Sequence, residues 1–243
     1  VTPSYSYQWQ SSPDNSTWTN VGSNSLSYQP PVLTSSTYYR ISATDTGTYG
    51  CGTVTSTIVL VTVNPVPTVN IPSNQSVCDG SSTTAVAFTG TATAYTWTND
   101  QISIGLAASG TGDIAAFTAT NASNIPVTAT ISVTPHLTNG GITCDGLTQT
   151  FTIMVNPTPS VVAPIGLTYC SGILSAPFAL SGTPSNVVYD ISGGLSIGLS
   201  DVLGATEIPA FTPIAGTANL TVTPKANGCA GNPVTFNVTV RTT

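Results

Sequence analysis

Apolar and polar positions alternate with a period of two over most of the chain, in short runs separated by turn residues. Tyr5-Ser6-Tyr7-Gln8-Trp9-Gln10 and Thr37-Tyr38-Tyr39-Arg40-Ile41-Ser42-Ala43 follow this rule, and a long final run from Tyr49 to Val63 comes after them. Successive side chains of a strand point to opposite faces, so these runs predict strands with one buried and one wet face. Ser12-Pro13-Asp14-Asn15-Ser16 and Asp45-Thr46-Gly47 interrupt the runs with turn chemistry. Short strands with turn signals every 8–12 residues or so argue for β-sandwiches. The nearest approach to a helical pattern, Ile102 to Ile114, is broken by Gly105, Gly110 and Gly112.

The same pattern recurs along the chain. Val63-Asn64-Pro65-Val66-Pro67 and Val155-Asn156-Pro157-Thr158-Pro159 each follow an alternating run and lie 92 residues apart. Proline ends a ladder and stiffens its exit, so both read as linkers. Cys78-Asp79-Gly80 returns as Cys170-Ser171-Gly172, and Phe88-Thr89-Gly90-Thr91 as Leu180-Ser181-Gly182-Thr183, which places Trp97 on Tyr189. Ser103-Ile104-Gly105-Leu106 matches Ser196-Ile197-Gly198-Leu199, Ala116-Phe117-Thr118 matches Ala210-Phe211-Thr212, and Val133-Thr134-Pro135 matches Val222-Thr223-Pro224. Cys144 then falls on Cys229 and Phe151 on Phe236. The drift in offset is what loop insertions produce. The expected organisation is a related but distinct module at 1–64 followed by two copies of one module at 65–156 and 157–243.

Composition narrows the classes of function. Three basic residues face nine acidic ones, for a net charge of -6, and 5% of residues are charged, against roughly 25% in ordinary globular domains. No basic stripe exists for nucleic acid or anionic lipid, so neither is an expected partner. The best apolar run, Thr57 to Val63, is too short for the ~20 residues of a membrane span. Threonine, serine and asparagine carry the polarity instead. A hydrophobic content of 40% with ordered alternation separates the chain from disordered Ser/Thr/Pro-rich sequences. Val1 to Gln10 has neither the basic start nor the apolar core of a leader.

Five cysteines are present, at 51, 78, 144, 170 and 229. Cys78 and Cys170 open the two later modules, and Cys144 and Cys229 precede their last strands. The expected pairs are therefore Cys78–Cys144 and Cys170–Cys229, each contributing about 4 kcal/mol in the chain-entropy picture. Cys51 stands where the second cysteine of a pair would, and its partner is expected upstream of Val1. A free thiol or an intermolecular bridge is the other reading of Cys51. Metal ligation by these cysteines is not expected, because none has C-x2-C spacing. Paired structural cysteines imply an oxidising, extracellular setting.

Candidate chemistry is sparse. His136, the lone imidazole, reads as a solvated loop residue, and Glu207 is the lone glutamate, so no base–nucleophile set or carboxylate pair is expected. A Cys78–Cys144 bridge would bring Asp79 and Asp145 together, which makes them weak candidate calcium ligands; Ser171 and Ala230 at the matching places argue against a repeated site. Trp9 and Trp97 read as core. Trp18, Tyr28, Tyr38 and Tyr49 could line a face that stacks on sugars, with Trp18 and Tyr28 the foremost surface-binding candidates.

Tyr7-Gln8-Trp9-Gln10, then Asp14 to Trp18, then Thr37-Tyr38-Tyr39-Arg40 ahead of a cysteine, resembles the immunoglobulin-like repeats of giant Bacteroidetes surface proteins. The later modules, with Val-Asn-Pro-x-Pro junctions and a cysteine near each end, resemble the PKD-like repeats of the same proteins. The resemblance covers essentially the whole chain. It implies an all-β fold of tandem immunoglobulin-like and PKD-like sandwiches in an elongated rod, exported by type IX secretion into a filament at the cell surface. It further implies adhesion and gliding motility, with a surface polysaccharide or other substratum and neighbouring repeats as partners, no cofactor and no catalytic motif. The alternative expectation is a carbohydrate-binding accessory region of a secreted polysaccharide-degrading enzyme.

Overall fold

The computed structural model describes residues 4–48 and 50–242, and its regular elements are strands and two short 3-10 turns. Its contacts divide into two compact units: Val1–Pro67 with Leu137–Asp145, and Thr68–His136 with Gly146–Thr243.

The first unit is built on β1 (Tyr5–Ser12), β2 (Thr19–Val21), β3 (Thr37–Asp45), β4 (Thr53–Thr55) and β5 (Val59–Val61). The sheet order is β2-β1-β3-β4, with β5 also on β3. Asp14 makes the β1–β2 turn: its Oδ1 accepts the N–H groups of Ser16 and Thr17, both at 2.8 Å. Asn15 takes the left-handed conformation there, which asparagine tolerates. The run predicted as one strand from Tyr49 to Val63 arrives in two pieces. The cause is Ser56, whose N–H donates to Ile41 O while its Oγ accepts the Ile41 N–H. A hydroxyl thus replaces a carbonyl in the ladder, and the register slips by one between Ser42↔Thr55 and Tyr39↔Val59. Tyr49 itself lies outside the described residues.

The second unit holds two sandwiches with separate cores. The first uses β6 (Gln75–Cys78), β7 (Ala94–Asn99), β8 (Ser109–Thr111), β9 (Val127–Asn139) and β11 (Gln149–Asn156); the end of β9 from Leu137 and the whole of β10 (Ile142–Asp145) are counted with the first unit. Their order is β6-β11-β9-β7-β8, with β10 on β9. Period-two alternation sends Ala129, Ile131 and Val133 of β9, and Ile153 and Val155 of β11, to full burial. The opposing layer is held by bridges Val69↔Gly90, Ser82↔Thr118 and Val86↔Ile114. Phe88, Trp97 and Phe151 fill the space between the layers, each large side chain stabilising the fold by about 1.5–3 kcal/mol through burial.

The second sandwich repeats this plan with β12 (Ser160–Val161), β13 (Leu167–Cys170), β14 (Phe178–Ala179), β15 (Gly182–Thr183), β16 (Val188–Ser192), β17 (Val202–Ala205), β18 (Glu207–Ile208), β19 (Gly216–Ala226), β20 (Cys229–Ala230) and β21 (Val234–Arg241). Its main sheet runs β13-β21-β19-β16-β17, with β20 on β19, and the pairs β12-β15 and β14-β18 lie apart from it. In both sandwiches the opening strand lies parallel to the closing one, β6 on β11 and β13 on β21.

The repeat is exact in one loop. Ile102–Ile104 and Leu195–Ile197 each form a 3-10 turn ended by a left-handed glycine, Gly105 (φ 92°) and Gly198 (φ 90°), with Ile104 and Ile197 fully buried. A Cβ on Gly105 would stand 2.7 Å from Thr118 O, and one on Gly198 2.6 Å from Thr212 O. The expected match of Trp97 to Tyr189 is corrected by register. Tyr189 faces Pro224 as Tyr95 faces Pro135, so Tyr95 is its counterpart and Trp97 corresponds to Ile191.

Candidate functional site

The most constructed place in the molecule is the join between the two sandwiches of the second unit. Parallel pairing sets Cys78, the last residue of β6, opposite Asn156, the last residue of β11. The Asp79 N–H bonds Asn156 O at 2.8 Å. The Asp79 carboxylate accepts the Asn121 N–H at 2.8 Å and the Thr158 hydroxyl at 3.1 Å, tying the linker to the sandwich it leaves. Asn121 is buried, and its side-chain amide donates to Ile125 O and Val155 O, both at 2.8 Å.

The second sandwich meets this end with the β19–β20 hairpin. Asn227 and Gly228 both have positive φ (51° and 79°), as a tight two-residue hairpin turn requires. That turn places Cys229 opposite Ala226, buried. Cys78 and Cys229 form a disulfide across a sequence separation of 151 residues, with Cα atoms 5.7 Å apart. Gly231 lies against the linker so closely that a Cβ would fall 1.8 Å from Pro159 O. Linker, hairpin and bridge together make a locked joint.

This pairing corrects the expectation of Cys78–Cys144 and Cys170–Cys229. Val127 of β9 pairs with Val155, beside Cys78, whereas Gly146, two residues past Cys144, bonds Pro135 O farther along β9. Eight residues of strand separate those points, about 27 Å. Likewise Cys170 pairs with Arg241, next to the Gly216↔Val240 pair at one end of β19, and Cys229 lies at Ala226 at the other. Those ten residues span about 34 Å. Cys51, Cys144 and Cys170 are free thiols, the first and last of them exposed. The missed signal was strand direction: a parallel opening strand carries its cysteine to the exit end.

The calcium candidates lose their basis with the bridge that was to unite them. Asp79 is spent on Asn121 and Thr158, and no group of three or more His, Cys, Asp or Glu side chains among the described residues is placed to hold a metal ion. His136 is not in a loop. It lies within β9, paired with Ala94 of β7, and shares a 2.8 Å hydrogen bond with Thr96 Oγ1. Lys225 and Asp190 occupy the same two places in the second sandwich and form an ion pair, so a polar cross-strand pair does recur. The Lys225 ammonium holds the Asp190 carboxyl below its usual range.

The aromatics of the first unit divide by role. Trp9 donates its indole N–H to Ser25 O, and Tyr28 packs between Trp9 and Tyr39 with centroids 6.1 Å from each. Tyr28 is thereby part of a small core. Trp18 is half-buried, with the Arg40 guanidinium 3.9 Å above its ring, and Arg40 is held by Gln10 at 2.8 Å. Tyr38 is half-buried on β3. Asp45 accepts the N–H groups of Gly47 and Cys51, which keeps its carboxyl below the ordinary range. The same carboxylate, by accepting a hydrogen bond from the Cys51 thiol, pushes that thiol upward.

A family model described as "Domain of unknown function (DUF8696)" matches residues 1–65. No curated protein matches the chain. Among solved structures, the chain is similar to human CDH23 EC21-23 at 13% identity, covering 99% of this chain and 89% of that one with a TM-score of 0.40. It is similar to Drosophila N-cadherin EC1-4 at 11% identity, covering 100% and 68%, TM-score 0.31. Fibronectin(III)-like modules of Clostridium thermocellum CbhA align at 12% identity over 73% of this chain and 95% of theirs, TM-score 0.30. The all-β assignment rests on the sheets described above. No helix among the described residues is long and apolar enough to cross a membrane.

Proposed function

We propose that this chain is a segment of a secreted cell-surface filament adhesin, serving as spacer modules, adhesive modules or both, divided at 1–64, 65–156 and 157–243. The observation that carries the proposal is the Cys78–Cys229 joint, which couples successive sandwiches covalently. A covalent joint of this kind suits a filament that carries tension from module to module. Disulfides persist in oxidising compartments, in keeping with export to the cell surface. The sequence resemblance extends the proposal to gliding motility and type IX secretion, with the flavobacterial adhesin SprB as the comparator.

Adhesion would use apolar contact more than charge. Val32, Ile165 and Leu203 are 94%, 98% and 80% exposed, and the chain has three basic and nine acidic residues. The partner these scattered apolar side chains and the low charge suit is a surface polysaccharide or another substratum bound without strong charge pairing. The test is retention of chain-coated beads under flow on agarose, alginate and bare glass, before and after reduction. Retention on more than one surface supports the proposal; failure to hold on any overturns it. The alternative, a carbohydrate-binding accessory module, rests on Trp18, whose ring is partly accessible. It predicts retention on one glycan alone, lost in Trp18→Ala.

A further inference from the structure

We propose that the outer edge of β5, with Asn64 and Cys144, is a docking site for an extended, apolar-alternating segment ending in cysteine. The segment adds to β5 in parallel and forms a disulfide with Cys144. All three parts of the site belong to the first compact unit. The inference does not depend on the adhesive reading.

Each sandwich of the second unit covers the outer edge of its closing strand with a short parallel strand, Gln75–Cys78 on β11 and Leu167–Cys170 on β21. The two covers are built alike. Both end in cysteine, and the next N–H bonds the carbonyl of the residue facing that cysteine, Asp79 to Asn156 at 2.8 Å and Ser171 to Arg241 at 2.9 Å. The following glycines bond Ala119 O and Pro213 O. Val77, Leu167 and Tyr169 of these strands pack on the cores beneath.

The closing strand of the first unit has no such cover among the described residues, since β5 pairs with β3 alone. Its Val59, Leu60 and Val61 are 58%, 46% and 39% exposed, whereas Ile153 and Val155 of β11 are fully buried. An apolar strand edge left open is a template for another strand. The residues that follow β5 match those that end and leave β11: Val63-Asn64-Pro65 against Val155-Asn156-Pro157.

The cysteine geometry agrees. At Asn156 the cover's Cys78 is bridged to Cys229, two residues before Gly231, whose N–H bonds Pro224 O. Cys144 stands two residues before Gly146, whose N–H bonds the equivalent Pro135 O. Asn139 at the tip of the β9–β10 hairpin donates to Asn64 Oδ1 at 2.9 Å, which fixes that hairpin at Asn64. A strand laid on β5 in the register of β6 therefore sets its terminal cysteine at Asn64, within reach of the free Cys144 thiol. Bridge formation removes one proton and one electron from each thiol. A disulfide oxidant such as oxidised glutathione accepts them and leaves as two reduced thiols.

The test uses the full chain and a synthetic peptide with the sequence of Ile165 to Gly172, beside a scrambled peptide with cysteine at the same place. Both are incubated with the chain in oxidised glutathione, and the mixed disulfide at each thiol is quantified by mass spectrometry. The matched peptide should attach to Cys144 about tenfold or more faster than to Cys51 or Cys170, because docking raises its local concentration. It should also slow amide exchange at 59–61, and the scrambled peptide should do neither. Equal attachment at all three thiols, or occupation of the β5 edge by a second copy seen as a dimer in light scattering, overturns the proposal.

Discussion

Pulling the chain by its two ends gives the joint a mechanical signature. With the Cys78–Cys229 bridge closed, tension passes from residue 78 directly to residue 229 and bypasses both sandwich cores between them. The separation is 151 residues, and an extended residue spans 3.3–3.6 Å, so reduction should release about 500 Å of additional contour length. Force spectroscopy on single molecules, with and without a reductant, measures this difference. The Cys78→Ser variant should behave as the reduced chain without any reductant. Solution stability should follow: in the chain-entropy model a loop of this length contributes about 5 kcal/mol, an upper figure where the reduced chain keeps structure. Release of two shorter lengths summing to about 400 Å would match the Cys78–Cys144 and Cys170–Cys229 pairing and refute the joint. No change on reduction would refute it as well.

Three further outcomes are expected. Gly105→Ala should cost about 2–3 kcal/mol in urea denaturation, since a left-handed φ of 92° and a carbonyl 2.7 Å from the new Cβ both oppose it; Gly112→Ala, at φ 67° in open space, should cost only about 1 kcal/mol. Tyr189→Phe should leave the unfolding free energy from urea denaturation unchanged or raise it by up to about 1 kcal/mol, because the buried hydroxyl has no hydrogen-bond partner and burial already pushes its ionisation upward; a loss above that size would contradict the packing. Asp45 holds the Cys51 thiol protonated to higher pH than usual, so less thiolate exists at pH 8, and Asp45→Asn should speed iodoacetamide alkylation of Cys51 severalfold; an unchanged rate would remove the hydrogen bond from the account.

Much of this architecture could be read from residues alone, for physical reasons that differ by element. Ala129, Ile131 and Val133 alternate with Thr130, Ser132 and Thr134 because one face of the strand meets a core. Ser-Ile-Gly-Leu recurs because a buried isoleucine and a left-handed glycine are both needed to close the same turn. Strand direction was not legible: β6 and β13 are four residues each, and nothing in so short a run distinguishes parallel from antiparallel pairing. That one ambiguity misplaced two disulfides and, with them, the Asp79–Asp145 pair. The loop reading of His136 fails because β9 runs on through Pro135 and His136 to Asn139. Ser56 was invisible for another reason, since a serine hydroxyl standing in for a carbonyl leaves the alternation on either side intact.

The central claim is that a bridge joins two sandwiches and does not close either one. Digestion of the unreduced, alkylated chain with pepsin, followed by mass spectrometry, reads the connectivity without any model of stability or force. One cross-linked pair containing Cys78 and Cys229, with alkyl groups on Cys51, Cys144 and Cys170, is the result this structure requires. A peptide linking Cys78 to Cys144, or Cys170 to Cys229, would contradict it.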